Sequence, residues 1–287
     1  MVIDVHVHPI YFKPICGDLG KEKFRSEQFG IFKQSPYGMD EVFVEMQVGE
    51  IDKAVLLPLD LTTSAGGMVV SNEEVHELVN LFPDRFIGFA SVDPHRPDAL
   101  EILEYAFKDL NLKGLKLNPS KQQFYPADDL MKPIYQKCLQ YNRPILFHSG
   151  MSWEPNTPTR FAQPVNFEEI AINFPGLRFC LAHFGWPWIQ ETVMLLIKYP
   201  NIYTDTSLLY LDSPEDFFTQ VFTKNFGPLW LERNFNRQVM FGSNTPRFRA
   251  FKLKAALEQL PFRKKTLELV FGLNALHFLG MESDCHG

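Results

Sequence analysis

Apolar and polar positions alternate most sharply at the start of the chain, in Met1-Val2-Ile3-Asp4-Val5-His6-Val7-His8. Apolar residues at 1, 3, 5 and 7 interleave with Val2, Asp4, His6 and His8, the period-two pattern of a strand with two unlike faces. Such a strand points Asp4, His6 and His8 the same way, with the imidazoles about 7 Å apart along it. Pro9 ends it. Residues 10–36 then mix glycines, prolines and charges without a period, and read as a long loop with functional potential. Met39 to Val48 has helical spacing, and Lys53 to Leu57 is a short buried strand stopped by Pro58. Asn72 to Phe82 reads as a helix, with Ser71 as its N-cap and Glu74 at the capping-box position.

The same alternation continues to the end. Strands are expected at Arg85 to Ser91, Lys113 to Leu117, Pro144 to His148, Leu177 to His183, Asn201 to Asp205 and Gln238 to Ser243. Helix-length segments separate them, ending near Leu110, Tyr141, Phe174 and Lys198, with a Phe-rich helical region through Glu232. Eight strands in βα units predict a parallel sheet closed into a (β/α)8 barrel, a TIM barrel, as one domain over residues 1–287. The rival is an open doubly wound sheet, which would be expected to carry a Gly-rich phosphate loop after its first strand; none follows Val7.

Composition narrows the possible partners. At 287 residues, with 27 phenylalanines, the chain has material for one large core. The net charge is −6 and no Lys/Arg-rich run occurs, which argues against nucleic acid or an anionic membrane as partner. Cys16, Cys138, Cys180 and Cys285 lie far apart and form no CxxC, so they read as reduced thiols. Asp4, His6 and His8 interrupt any apolar signal-peptide core, and no stretch reaches the ~20 apolar residues of a membrane span, so a cytoplasmic location is expected. The Phe217 to Phe235 segment suits packing on the barrel, or pairing in a homodimer.

In a closed barrel the chemistry gathers where strands end. The polar residues there are His6 and His8, Lys116, His148, His183 and Asn244. Four of the eight histidines thus fall at strand C-termini. His76, His95, His277 and His286 fall elsewhere and receive no role.

The segments DVHVHP (4–9), GLKLNPS (114–120), PILFHSG (144–150), FPGLRFCLAHFGWPW (174–188), NIYTDTS (201–207), FGSNTP (241–246) and NALHFLG (274–280) come in the order and spacing of a known family. The chain resembles the amidohydrolase superfamily, in the amidohydrolase-related branch that holds ring-cleavage lactonases and aminocarboxymuconate-semialdehyde and aromatic-acid decarboxylases. The resemblance implies a divalent metal, Zn or Mn, held by His6, His8, His148 and a strand-8 aspartate. Such an ion acidifies a water and polarises a substrate carbonyl. It further implies that His183 contacts substrate, orients the water or binds a second ion. Lys116 lies in KLNP, similar to the KLYP strand of dihydroorotases, where the lysine is carboxylated and bridges two metals; an unmodified Lys116 would instead pair with a substrate carboxylate. One or two ions are therefore open.

Asn244 departs from the family pattern, because an amide cannot act as a base. It is compatible with an inactive variant, with another base such as His183 or Asp205, or with a barrel that binds without catalysing. Tyr125, Trp153, Arg160, Trp186 and Arg247 follow strand ends and suit a planar, carboxylated substrate. Asp4 reads as a hydrogen-bond partner for a neighbouring strand or histidine. The expected activity is metal-dependent hydrolysis of a small carboxylated lactone or of a keto or enol acid from aromatic breakdown. Non-oxidative decarboxylation of an aromatic or muconate-type acid is the alternative.

Overall fold

The structure, a computed structural model, describes residues 1–207, 213–227 and 229–281; Cys285 and His286 lie outside the described residues. Its centre is eight parallel strands: β1 (Ile3–Val7), β2 (Lys53–Leu56), β3 (Phe86–Gly88 continuing as Ala90–Ser91), β4 (Leu115–Leu117), β5 (Ile145–Phe147), β6 (Phe179–Leu181), β7 (Ile202–Asp205) and β8 (Val239–Met240). β3 pairs with β2 through its first piece and with β4 through its second, so it is continuous with both neighbours. The barrel closes where β8 returns to β1. Val5 N donates to Phe241 O at 2.9 Å, Asn244 N to His6 O at 2.9 Å and His8 N to Thr245 O at 2.8 Å. Closure leaves no exposed edge.

Alternation along each strand sorts side chains inward and outward. Val5, Val55, Phe89, Leu146, Cys180 and Met240 form an apolar inner cluster. The closing helix Asn274–Leu279 seals one end of it with Leu276, Phe278 and Leu279. At the C-terminal strand ends the inner positions turn polar, and there His6, Lys116, His148, His183 and Asp205 are all buried.

Two local features depart from the sequence reading. Residues 10–36 are not merely a loop, for they contain helix α1 (Leu19–Phe29). Asp18 caps it by accepting from Gly20 N and Lys21 N, and Gly30 ends it at φ 62°, the left-handed conformation that glycine tolerates best. The apolar signal is faint because α1 is mostly polar; its buried Arg25 docks it instead. Arg25 donates to Val69 O (2.6 Å) and Ile15 O (2.9 Å) and pairs with Glu74 (2.8 Å). The second departure is in β1, whose register shifts between Asp4 and Val7. This bulge breaks the shared face: Val7 joins the outer core, while His6 turns inward after Val5.

Other elements stand close to expectation. Helix α2 covers Met39–Val48, and α3 covers Asn72–Leu81 with the Ser71–Glu74 capping box formed. Phe217, Phe218, Phe222 and Phe235 are buried in the core; Pro228, within the same segment, is outside the described residues. Among the described residues no helix is long and apolar enough to cross a membrane. Cys16, Cys138 and Cys180 are free thiols.

Candidate active site

Four imidazoles meet above the apolar cluster. His6 Nε2 lies 3.2 Å from His8 Nε2, and His183 Nε2 lies 3.2 Å from His148 Nδ1. Their tautomers follow from the partners of the remaining nitrogens. His6 Nδ1 faces Asp205 Oδ2 at 2.8 Å, and His8 Nδ1 faces Leu57 O at 3.2 Å. Both partners accept only, so both Nδ1 atoms carry the proton. Both Nε2 atoms therefore present lone pairs to each other. Facing lone pairs at that distance repel unless a cation or a proton sits between them, and two imidazole lone pairs are the donors a Zn or Mn ion takes. Among the described residues, the group of three whose ligand atoms lie within 4.8 Å of one another is His6, His183 and Asp205. His8 adds its Nε2 lone pair from 3.2 Å, so this donor set fits a divalent metal, while His6, His8 and His148 do not form such a group.

His183 is oriented in the same way. Ser207 Oγ donates to Asp205 Oδ1 at 2.5 Å and accepts from His183 Nδ1 at 2.7 Å, which leaves the His183 Nε2 lone pair directed at His148. Asp205 Oδ1 also accepts from His183 N at 2.9 Å. Asp205 thus orients His6 and His183 from behind, the arrangement in which a carboxylate fixes the tautomer of a ligating histidine. His183 itself has φ 60°, a conformation sparsely populated outside glycine, and that backbone bond to Asp205 helps hold it there.

Burial governs the charge states. It is the largest cause pushing His6, His8 and His183 well below the ordinary imidazole value and His148 down to about 3, with Lys116 adding to the effect in each. Neutral imidazoles are the form that binds metal. Lys116 is itself lowered to about 8, first by burial, with Asp205 opposing. Its Nζ makes no hydrogen bond among the described residues. Burial raises Asp4 to about 7; its carboxylate accepts from His6 N (3.0 Å) and Ser243 N (2.9 Å), bracing β1 against the β8 loop.

The space in front of these groups is a cavity of about 50 Å³. His6, His8, Lys116, His148, His183 and Asn244 line it, as do Trp153 and Arg247. Asn244 has φ 62°, which asparagine adopts more readily than most residues. Tyr125, Arg160 and Trp186 are not among the lining residues. Phe161 takes up the first two: its ring lies 4.7 Å from the Tyr125 ring and 4.9 Å from the Arg160 guanidinium carbon. Trp186 packs against the outer core.

The lining also includes residues that the sequence reading passed over: Gln28 and Phe29 at the end of α1, and Asn118, Lys121, Ser152 and Glu154. The caps Asp18 and Gly30 signal α1 in the sequence, but nothing local says that its end lies over His8. The rings of Phe29 and His8 are 4.6 Å apart, edge to face.

Residues 3–281 match the family described as Amidohydrolase. The chain belongs to the amidohydrolase family. An uncharacterised TIM-barrel protein from Bordetella bronchiseptica shares its fold with a TM-score of 0.74 and 21% identity, over 98% of this chain and 99% of that one. A 4-oxalomesaconate hydratase from Rhodopseudomonas palustris superposes with a TM-score of 0.67 at 20% identity, covering 99% and 97%. A 5-carboxyvanillate decarboxylase from Novosphingobium aromaticivorans, an aspartate-to-asparagine mutant with bound manganese, gives a TM-score of 0.67 at 16% identity, covering 98% and 97%. These likenesses are of fold. Among curated proteins, 69 residues are 28% identical to protein fluG of Emericella nidulans, a match covering 24% of this chain and 8% of that protein.

Proposed function

We propose that this amidohydrolase-family protein is a metal-dependent hydrolase of a small carboxylate-bearing lactone, or of a keto or enol acid from aromatic breakdown. The observation that carries the reading is the pair of Nε2 lone pairs of His6 and His8, 3.2 Å apart with both Nδ1 atoms committed. His6 and His8 would hold a divalent ion, Zn or Mn, with His148, His183 and the Asn244 side-chain oxygen beside them. The ion supplies carbonyl polarisation and acidification of water. Everything else is the work of the chain.

Lys116, about 8 and so largely protonated at neutral pH, offers an ammonium to a substrate carboxylate. Asn244 cannot take a proton. His183, kept neutral by burial and turned by Ser207 and Asp205, shares the cavity with Asn244 and orients the water or substrate in this reading. Trp153 and Phe29 provide apolar walls for the body of the substrate. A second reading, decarboxylation, draws on the fold shared with the manganese-bound decarboxylase. In that case a proton is delivered to carbon rather than withdrawn from water.

Elemental analysis of gently purified protein, followed by a panel of lactones and carboxylated aromatic acids, tests this. The expected result is about one or two equivalents of Zn or Mn and acid release without CO2. CO2 release replaces hydrolysis by decarboxylation. Protein that takes up no metal on reconstitution sinks the metal reading. Metal-loaded protein that is inert on the whole panel, both as it is and as Asn244→Asp, points to a binding barrel.

A further inference from the structure

The cations of the cavity fall into two groups. Lys116 lies deep, beside the histidines, 2% exposed and without a hydrogen bond among the described residues. Lys121 and Arg247 come from the segments after β4 and β8 and clasp the last turn of α1. Lys121 Nζ donates to Gln28 O and pairs with Glu154 Oε1 at 3.0 Å; Arg247 Nη2 donates to Phe29 O at 2.6 Å. The two carbonyls are neutral acceptors left over at a helix end.

Positive side chains outnumber negative ones around this space. Lys116, Lys121 and Arg247 line it against one carboxylate, Glu154. Asp205 lies behind, engaged with His6, His183 and Ser207. A substrate with a single carboxylate meets only one of the two positive poles. Charge-assisted hydrogen bonds are roughly twice as strong as neutral ones, so a second carboxylate competes well against the Gln28 and Phe29 carbonyls. A guanidinium can also grip it with two parallel bonds.

We infer that Lys121 and Arg247 form a second anion subsite, and that the substrate carries two carboxylates, one for the Lys116 pole and one for this pair. The inference rests on the carboxylate reading of the site made above. Occupying the subsite loosens the clasp on α1. Capping the end of α1 is the structural alternative for both cations, and selectivity separates the two roles.

Calorimetric titration of the protein with malonate, succinate, glutarate and adipate, each beside the monocarboxylate of equal chain length, is the test. At least one dicarboxylate binds tenfold or more tightly than its monocarboxylate partner. Lys121→Met and Arg247→Met each abolish that preference while metal content and the circular dichroism spectrum persist. Lys121→Arg, which keeps the charge, retains it. Equal affinity for the two series, or a preference that survives both methionine variants, overturns the subsite. Binding of neither series overturns the carboxylate reading beneath it.

Discussion

At the scale of single residues, Asp205 decides more than its position suggests. Its Oδ2 fixes the proton on His6 Nδ1, while its Oδ1 takes the His183 amide and the Ser207 hydroxyl. One carboxylate therefore sets the direction of two imidazole lone pairs. Asp205→Asn offers an amide of nearly the same shape, but a neutral one whose NH2 has to face an N–H donor or turn away. Metal affinity, measured by competition with a chromogenic chelator, is expected to fall about 10–100-fold, with the circular dichroism spectrum unchanged. Unaltered affinity would remove Asp205 from the orienting role. The sequence offers Asp205 only as a candidate base in place of residue 244. Its use as an orienter depends on His6 from the end of β1 and His183 from the end of β6 both reaching it in space.

Whole elements respond to different terms. Helix α3 begins with a reciprocal cap: Glu74 N donates to Ser71 Oγ at 3.2 Å, and Ser71 N donates to Glu74 Oε2 at 2.9 Å. Glu74 also receives Arg25 from α1 and Lys21 from its first turn, so the start of α3 anchors the helix whose end covers the site. Ser71→Ala removes one cap bond and leaves the Glu74 contacts, at an expected cost of about 1 kcal/mol in denaturant unfolding. A cost indistinguishable from zero would mean that packing alone holds the end of α3. The cap was legible because Ser-x-x-Glu before an apolar period is a local pattern. The docking of α1 was not, since a buried arginine bonded to distant carbonyls leaves no periodic trace.

The barrel as a whole is filled from one end by apolar side chains and capped at the other by polar ones. Phe278 of the closing helix is fully buried against the inner cluster, and Arg178 Nε donates to its carbonyl at 2.8 Å. Phe278→Ala should open a cavity and destabilise the protein by about 3–5 kcal/mol, read as a fall in the unfolding midpoint, while residual folded protein keeps its metal stoichiometry. A loss below about 1 kcal/mol would show that the end seal is not needed. The amino-acid sequence by itself determined the βα alternation, and with it the parallel barrel, because strand and helix periods are local properties of the chain. It also placed His6, His8, Lys116, His148, His183 and Asn244 at strand ends. Tertiary structure alone decided which polar groups share a space. The β1 bulge parts Asp4 from the histidines, Tyr125 and Arg160 pack against Phe161 and do not line the cavity, and strand closure brings Lys121 and Arg247 to the same turn of α1. Those outcomes depend on register and on contacts between separate elements, Arg247 reaching Phe29 across 218 positions, which no local period encodes.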